Sequence, residues 1–369
     1  AWQQVVVGAN NTYTFNIGAS GGTAWVTQGS NNSYALTVYY GTTAELQGLG
    51  TQCNTTTPNT KSVTGTVAGL TSQFETATLS LGGGTGSANF AVPAFTITGI
   101  PNGTLDLVGV RSAIDIQNPT GMLANRVYLQ RGLNPANGSS LGTIDFAGSA
   151  NSFAPDTRTF TVATTAGEAL YSLVQFTTGT ASNGTLGLST SSTSPVNMPV
   201  VPASRTAAGD LHLLNFTAYA GSFGSHTAMR SILTYFRDPT NQTIALGPSL
   251  STPTVSLAAS APYPRFRTQT ARQTEYASTW LNSFTQGSSS GGRTVVMLVS
   301  PGYVGNATTI DVTLPDFTGV GGWLNTYGPL SGTTANWTVS ASGVTGGNAG
   351  VAEGLAIRSA YRLGTLNTP

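Results

Sequence analysis

Charge is scarce in this chain: Asp, Glu, Lys and Arg together make up 7% of its 369 residues, against roughly 25% in ordinary soluble domains. The 14 basic and 13 acidic residues leave a formal net charge of +1. Without a basic field there is nothing to hold a phosphate backbone, so nucleic-acid binding is excluded, and no acidic field exists for a cationic partner. The surface must then be built from Thr, Ser, Asn, Gln and Gly. Such side chains stay hydrated but supply little of the repulsion that keeps soluble proteins apart. A surface of that kind suits lasting neighbours, either copies of the same chain or other components of a cell surface.

Cysteine occurs once, at Cys53. One thiol makes no intrachain disulfide and no cysteine-based metal cluster. In the polar run Thr51-Gln-Cys-Asn-Thr-Thr-Thr-Pro58 it reads first as a small filler and second as an intermolecular thiol. Histidine is nearly as rare. His212 and His226 lack the spacing of a zinc-binding helix. In Asp210-Leu-His-Leu-Leu214 the flanking leucines point away from His212, which predicts an imidazole facing solvent or paired across a sheet. Gly221-Ser-Phe-Gly-Ser225-His226 only imitates a nucleophile elbow, since it lacks the Gly-x-Ser-x-Gly spacing and precedes no helix.

The acids stand singly in turns or at strand ends, which favours arginine pairing and turn capping over a pair of catalytic carboxylates. Asp311 and Asp316 are too sparse for a calcium loop. No glycine-rich loop opens a helix, so nothing points to a phosphate cradle. We therefore expect no catalytic residues, no metal and no cofactor. Continuous apolar runs do not exceed about ten residues, half of what a membrane-spanning helix needs. The chain opens at Ala1 without Met, as a chain does once an export signal has been removed, and the expectation is a secreted or outer-surface location.

What is abundant is alternation of period two. Tyr13, Phe15 and Ile17 show it, as do Tyr34, Leu36, Val38 and Tyr40, then Phe160 and Val162, Leu211 and Leu213, Ile232 to Phe236, and Ile310, Val312 and Leu314. Each set marks one face of a half-buried strand. Turn clusters such as Gly82 to Gly86, Pro101-Asn-Gly103, Asn137-Gly138, Asn183-Gly184 and Gly346-Gly-Asn348 punctuate them. The fold class is all-β: several consecutive antiparallel β-sandwiches with little or no helix. Thr270 to Gln286 fits a helix face through Ala277, Trp280, Leu281 and Phe284, but Tyr276, Trp280 and Phe284 share strand parity too, and a strand pair is favoured. Composition shifts at 50–60, 163–167 and 249–264 divide the chain into an N-terminal β region at 1–58 packed on the next unit, and sandwiches at 59–164, 165–258 and 259–369. Pro253, Pro262 and Pro264 make the last shift the clearest linker.

Val63-Thr-Gly-Thr-Val67, Ala77-Thr-Leu-Ser-Leu81 and Phe95-Thr-Ile-Thr-Gly-Ile-Pro-Asn-Gly-Thr-Leu-Asp-Leu107 together resemble the prealbumin-like modules of carboxypeptidase regulatory domains. The resemblance implies a seven-stranded sandwich over about residues 63–115, with a scaffolding or adhesive role and no catalysis. In physical terms Phe95 and Ile97 face inward, Gly99 to Gly103 reverse the chain, and Leu105 and Leu107 return inward.

Five tryptophans offer the remaining binding signal, because a flat aromatic face can stack on a sugar ring. Trp323 follows Gly319-Val-Gly-Gly322 and precedes Tyr327 in a loop, so Trp323, Tyr327 and Trp25 are the candidate ligand-binding residues. The leading expectation is a structural or adhesive surface protein that associates with itself. A glycan-binding accessory module is second, and a carboxylate-based glycan-active enzyme third.

Overall fold

The alternating segments become extended ladders in the computed structural model, which describes residues 1–6, 14–47, 60–114, 121–190, 193–221, 225–287, 291–346 and 351–369. In chain order the strands are β1 (Ser20–Gln28), β2 (Tyr34–Thr42), β3 (Lys61–Ala68), β4 (Glu75–Leu81), β5 (Gly84–Asn89), β6 (Ala94–Ile100), β7 (Leu105–Ile114) and β8 (Gly121–Leu133). Next come β9 (Ser140–Asp145), β10 (Ser152–Phe153), β11 (Asp156–Val162), β12 (Glu168–Thr177), β13 (Asn183–Ser189), β14 (Val196–Val200), β15 (Leu211–Ala220), β16 (Ala228–Phe236) and β17 (Gln242–Ile244). The last are β18 (Thr254–Ala259), β19 (Arg265–Ala271), β20 (Thr279–Gln286), β21 (Arg293–Val299), β22 (Thr309–Thr313), β23 (Thr333–Thr345) and β24 (Ala356–Thr368). Helix is confined, among the described residues, to single turns such as α1 (Thr43–Leu46) and α2 (Pro301–Val304). Thr270 to Gln286 is extended, not helical: it holds the end of β19, a short turn at Thr274–Tyr276, and β20. Residues 14–18 join no ladder.

Strand pairing runs from β1 through β2, β21, β20, β23, β24, β16, β15, β12, β13, β8, β7, β4, β5 and β6 to β3 and β9. Only β2–β21 and β3–β9 are parallel in that series. Small three-stranded sheets, β14–β11–β17 and β18–β19–β22, lie apart from it.

Three apolar clusters hold these layers together. One lies around β2, β20, β21, β23 and the β18–β19–β22 sheet, where Phe266 stacks on Phe284 with centroids 4.1 Å apart and rings 5° from parallel. A second joins β12, β15 and β16 to the β14–β11–β17 sheet, with Phe160 leaning on Phe216 at 5.4 Å. The third gathers β3, β4, β6, β7 and Phe146. Strands β7 and β8 serve two clusters, since Val108, Val110 and Val127 face the second while Leu107 and Tyr128 face the third. Within the third, Phe95, Ile97, Leu105 and Leu107 are buried, and Gly99 and Gly103 make the reversal at φ of +76° and +122°. Those angles favour glycine because a Cβ would clash with the backbone there.

Among the described residues, the N-terminal strands pair with each other and with the C-terminal strand β21. β2 lies parallel to β21, with Leu36, Val38 and Tyr40 opposite Val295, Met297 and Val299, so residues 34–42 complete the C-terminal core. The chemistry is direct: three apolar positions at strand parity meet three others at the same parity, and a half-buried hairpin gains a core. The shift at 163–167 is the turn from β11 to β12, and Val162 and Leu170 on either side share one cluster. The proline-bearing shift at 249–264 encloses a strand, β18.

The linker ahead of β18 is held by inward-pointing arginines. Arg230 Nη1 donates to Gly247 O at 3.0 Å, Arg358 Nε to Ala245 O at 3.3 Å and Arg362 Nε to Leu250 O at 2.8 Å. Arg230 also makes a two-pronged pair with Glu168, at 2.9 and 2.7 Å. Burial alone would raise the Glu168 pKa, but hydrogen bonds from Arg230 and Thr165 hold it below the usual range. Several of the few charges are therefore spent inside, tying a crossing segment to the sheet.

Candidate self-association face

Nine consecutive strands, β1, β2, β21, β20, β23, β24, β16, β15 and β12, turn one parity to the core, with Thr217 and Tyr219 of β15 the side chains of the other parity that are also buried. The register fixes what the other parity presents. One cross-strand row reads Trp25, Thr37, Val296, Ser283, Thr338, Leu363. The next reads Tyr39, Leu298, Leu281, Ser340, Tyr361, Met229, Tyr219. A hydroxyl row follows, through Thr279, Ser342, Ser359, Ser231, Thr217 and Tyr171. Beyond it lie Val344, Ile357, Leu233, Asn215 and Leu173. None of the outward positions on these nine strands is Asp, Glu, Lys or Arg.

Most of these side chains are half-buried. Near one corner Thr217 and Tyr219 are more deeply covered, where His226 sits beside Tyr219 and Tyr361 with centroid distances of 5.8 and 5.7 Å. Its Nε2 is hydrogen bonded to the Tyr361 hydroxyl. Chemically the face offers two mainly apolar rows flanking a hydroxyl row, and a mixed row beside them, with no fixed charge on these positions to keep another apolar surface away.

The three aromatic residues singled out from sequence separate. Trp323 and Tyr327 do meet, at 5.8 Å and 86°, inside a longer aromatic string: Trp2 lies 5.0 Å from Phe317, Phe317 4.8 Å from Trp323, and Tyr327 5.0 Å from Tyr34. Tyr263 leans on Trp323 from below at 5.4 Å, and Arg293 stands 4.8 Å over the Tyr34 ring. The Trp323 indole N–H is bound within its own loop, to Asn325 Oδ1 at 3.2 Å. These rings are tilted or edge-on and pack against the C-terminal core. They pack as a plug at the margin of that core, with no two of the rings in this string parallel. Trp25 instead belongs to the open face, since its neighbours Ala24 and Val26 take the core side of β1. Trp280 is buried, and the other four indoles are half-buried. Cys53 lies outside the described residues.

His212 is a correction to the sequence expectation. It is fully buried, and Leu211 and Leu213 are the half-exposed pair. Its Nε2 accepts from Val201 N at 2.9 Å and its Nδ1 donates to Arg237 O at 3.0 Å, so both ring nitrogens are used. Burial pushes its pKa down to about 4 despite the upward pull of the Arg237 and Phe236 carbonyls. A satisfied imidazole can replace a leucine inside because it leaves no orphan polar atom.

The carboxylates are mostly engaged by arginine. Asp106 and Asp210 converge on Arg131, at 2.9 Å and at 3.0 and 2.5 Å. The other oxygen of Asp106 accepts from Gly132 N, and the two Asp210 oxygens that bind Arg131 also accept from Gly179 N and Ala207 N. Among the described residues no three His, Cys, Asp or Glu side chains gather in a metal-binding group, and no helix is long and apolar enough to cross a membrane.

No family model matches the chain, and no curated protein is similar to it.

The open face was hidden in the sequence because both parities of its strands are apolar, as in Val295-Val-Met-Leu-Val299. The signal that marks it is negative: outward positions drawn only from apolar, hydroxyl and amide side chains over nine strands.

Proposed function

We propose that this is a secreted or cell-surface structural protein that assembles by laying its charge-free sheet face against the same face of a second copy. The observation that carries the proposal is the uncharged outward parity of nine adjacent strands. At about 4.8 Å per strand and 6.8 Å per residue pair, nine strands by three or four rows cover roughly 40 by 20 Å. That is about the 800 Å² per partner that a specific interface buries. An apolar row on either side of one hydroxyl row, with adjacent rows about 7 Å apart, also suits the interdigitation of two packed sheets.

Low overall charge supports the same reading, because it removes long-range repulsion between copies. So does an exterior of Thr, Ser and Asn, which remains hydrated across the changing pH and salt outside a cell. Light scattering on the purified full chain, over a wide concentration range, tests the proposal. Masses at multiples of 37.7 kDa are expected, and a strict 37.7 kDa monomer at the highest concentration would contradict it.

A further inference from the structure

A second feature lies away from the open face, where α2 and the end of β2 approach the edge strand β22. A groove of about 650 Å³ opens there, lined by Tyr40, Tyr303, Arg267, Asp311, Leu257 and Thr313. Its aromatic wall is built, not incidental. Tyr303 is 37% exposed and leans on the buried Tyr40 ring at 5.2 Å. Tyr40 is fixed in turn by its hydroxyl, which donates to Thr313 O at 2.6 Å. The turn bearing Tyr303 is anchored from beneath: Ser300 Oγ accepts from Tyr303 N, and Glu45 accepts from Ser300 Oγ and Gly302 N.

The polar side of the groove is an ion pair in which Asp311 accepts from Arg267 Nε at 2.8 Å and from Arg267 Nη2. Gln269 Nε2 donates to the same carboxylate at 2.9 Å. Both ionic side chains remain partly open, at 42% and 38%. Because the two charges cancel, the groove selects neither an anion nor a cation. It offers N–H donors and carboxylate acceptors beside an aromatic face, at a volume within the range of small-molecule sites. A molecule that uses all three features is neutral, carries several hydroxyls that both donate and accept, and has an apolar C–H face to lay on a ring.

We propose that this groove binds a neutral oligosaccharide, with a sugar ring on Tyr303 and its hydroxyls on the Arg267–Asp311 pair. The site is independent of the self-association face, and either can fail without the other. The test is saturation-transfer NMR and calorimetry on the full chain with cellotetraose, maltotetraose and chitotetraose, and with a heparin tetrasaccharide as the anionic counterpart. At least one neutral tetrasaccharide is expected to bind. Its affinity should fall at least tenfold in Tyr303→Ala and in Asp311→Asn, and change less than twofold in Phe90→Ser, which removes an exposed ring elsewhere. Raising salt from 50 to 500 mM should leave the affinity within twofold. Failure of all three neutral sugars to bind, binding that survives Tyr303→Ala, or tighter binding of the heparin fragment would overturn the proposal. Circular dichroism of each variant separates loss of binding from loss of fold.

Discussion

Glu45 accepts a hydrogen bond from Ser300 Oγ at 2.6 Å although 255 residues of chain separate them. The same carboxylate caps α1 by accepting from Thr42 N at 2.9 Å, and it receives Gly302 N at 2.8 Å. One side chain thus ties the end of the N-terminal hairpin to the α2 turn that follows β21. Burial works against its ionisation, but the donors from Ser300, Thr42 and Gly302 outweigh that and hold it down to about 2, from an ordinary 4.5.

A carboxylate with a depressed folded pKa contributes stability that is complete above about 4.5 and is lost as pH falls toward 2. Glu45→Gln should therefore cost about 1–3 kcal/mol at pH 7, with the gap to the wild type narrowing as pH falls. Urea unfolding at pH 7, 4.5 and 2.5 reads this directly. A gap that stays constant across the range would show that the charge is not what matters.

His212 gives a second window of pH dependence. Its folded pKa is lowered to about 4 from 6.5, so the unfolded chain takes up a proton first as pH falls. Stability from this group is whole above about 6.5, declines between 6.5 and 4, and changes no further below that. His212→Leu should remove this part of the pH profile while costing about 1–3 kcal/mol at pH 7 for the stranded Val201 N–H. Thermal unfolding between pH 4 and 8 measures both effects.

Arg230 and Glu168 form a buried pair whose arginine also serves the carbonyls of Gly247 and Ala163. Arg230→Met should destabilise the protein by about 3–5 kcal/mol, because it leaves a buried carboxylate unpaired. Double replacement with Glu168→Gln should recover part of that. The linker at 245–250 should also become the first site of limited proteolysis.

Gly364 lies across the ladder from Trp337, and a Cβ there would come within 2.2 Å of the indole. Gly364→Ala should cost about 1–3 kcal/mol through overpacking, and indole fluorescence should report the displaced ring. Unchanged stability would mean that the strand pair can spread without loss.

Much of the all-β architecture can be read from the chain, because alternation as in Leu36, Val38 and Tyr40 leaves no other periodicity to satisfy. Turn glycines such as Gly99 and Gly103 mark their own reversals. Two things do not follow from such local patterns. Which parity faces inward is ambiguous where both are apolar, and so Leu213 competes with His212 until the partners of the imidazole are known. Pairing between distant segments is invisible as well: nothing in Tyr34 to Thr42 names β21 as its neighbour. The candidate face depends on both, since it exists only once nine strands from three separate stretches of chain are set side by side. The aromatic pair Trp323 and Tyr327 is locally visible, with Phe317 in the same connection, but the Tyr263 and Tyr34 rings that help turn it into a plug come from elsewhere.

The most direct test of the account is sedimentation velocity of the wild type beside Leu281→Lys and Leu233→Lys, two charges placed on outward positions of β20 and β16. Both sites are half-exposed, so the fold should tolerate them. The wild type is expected to sediment as a dimer or larger species, and either lysine to shift it to monomer with unchanged circular dichroism. Wild-type and lysine variants that sediment identically would contradict it.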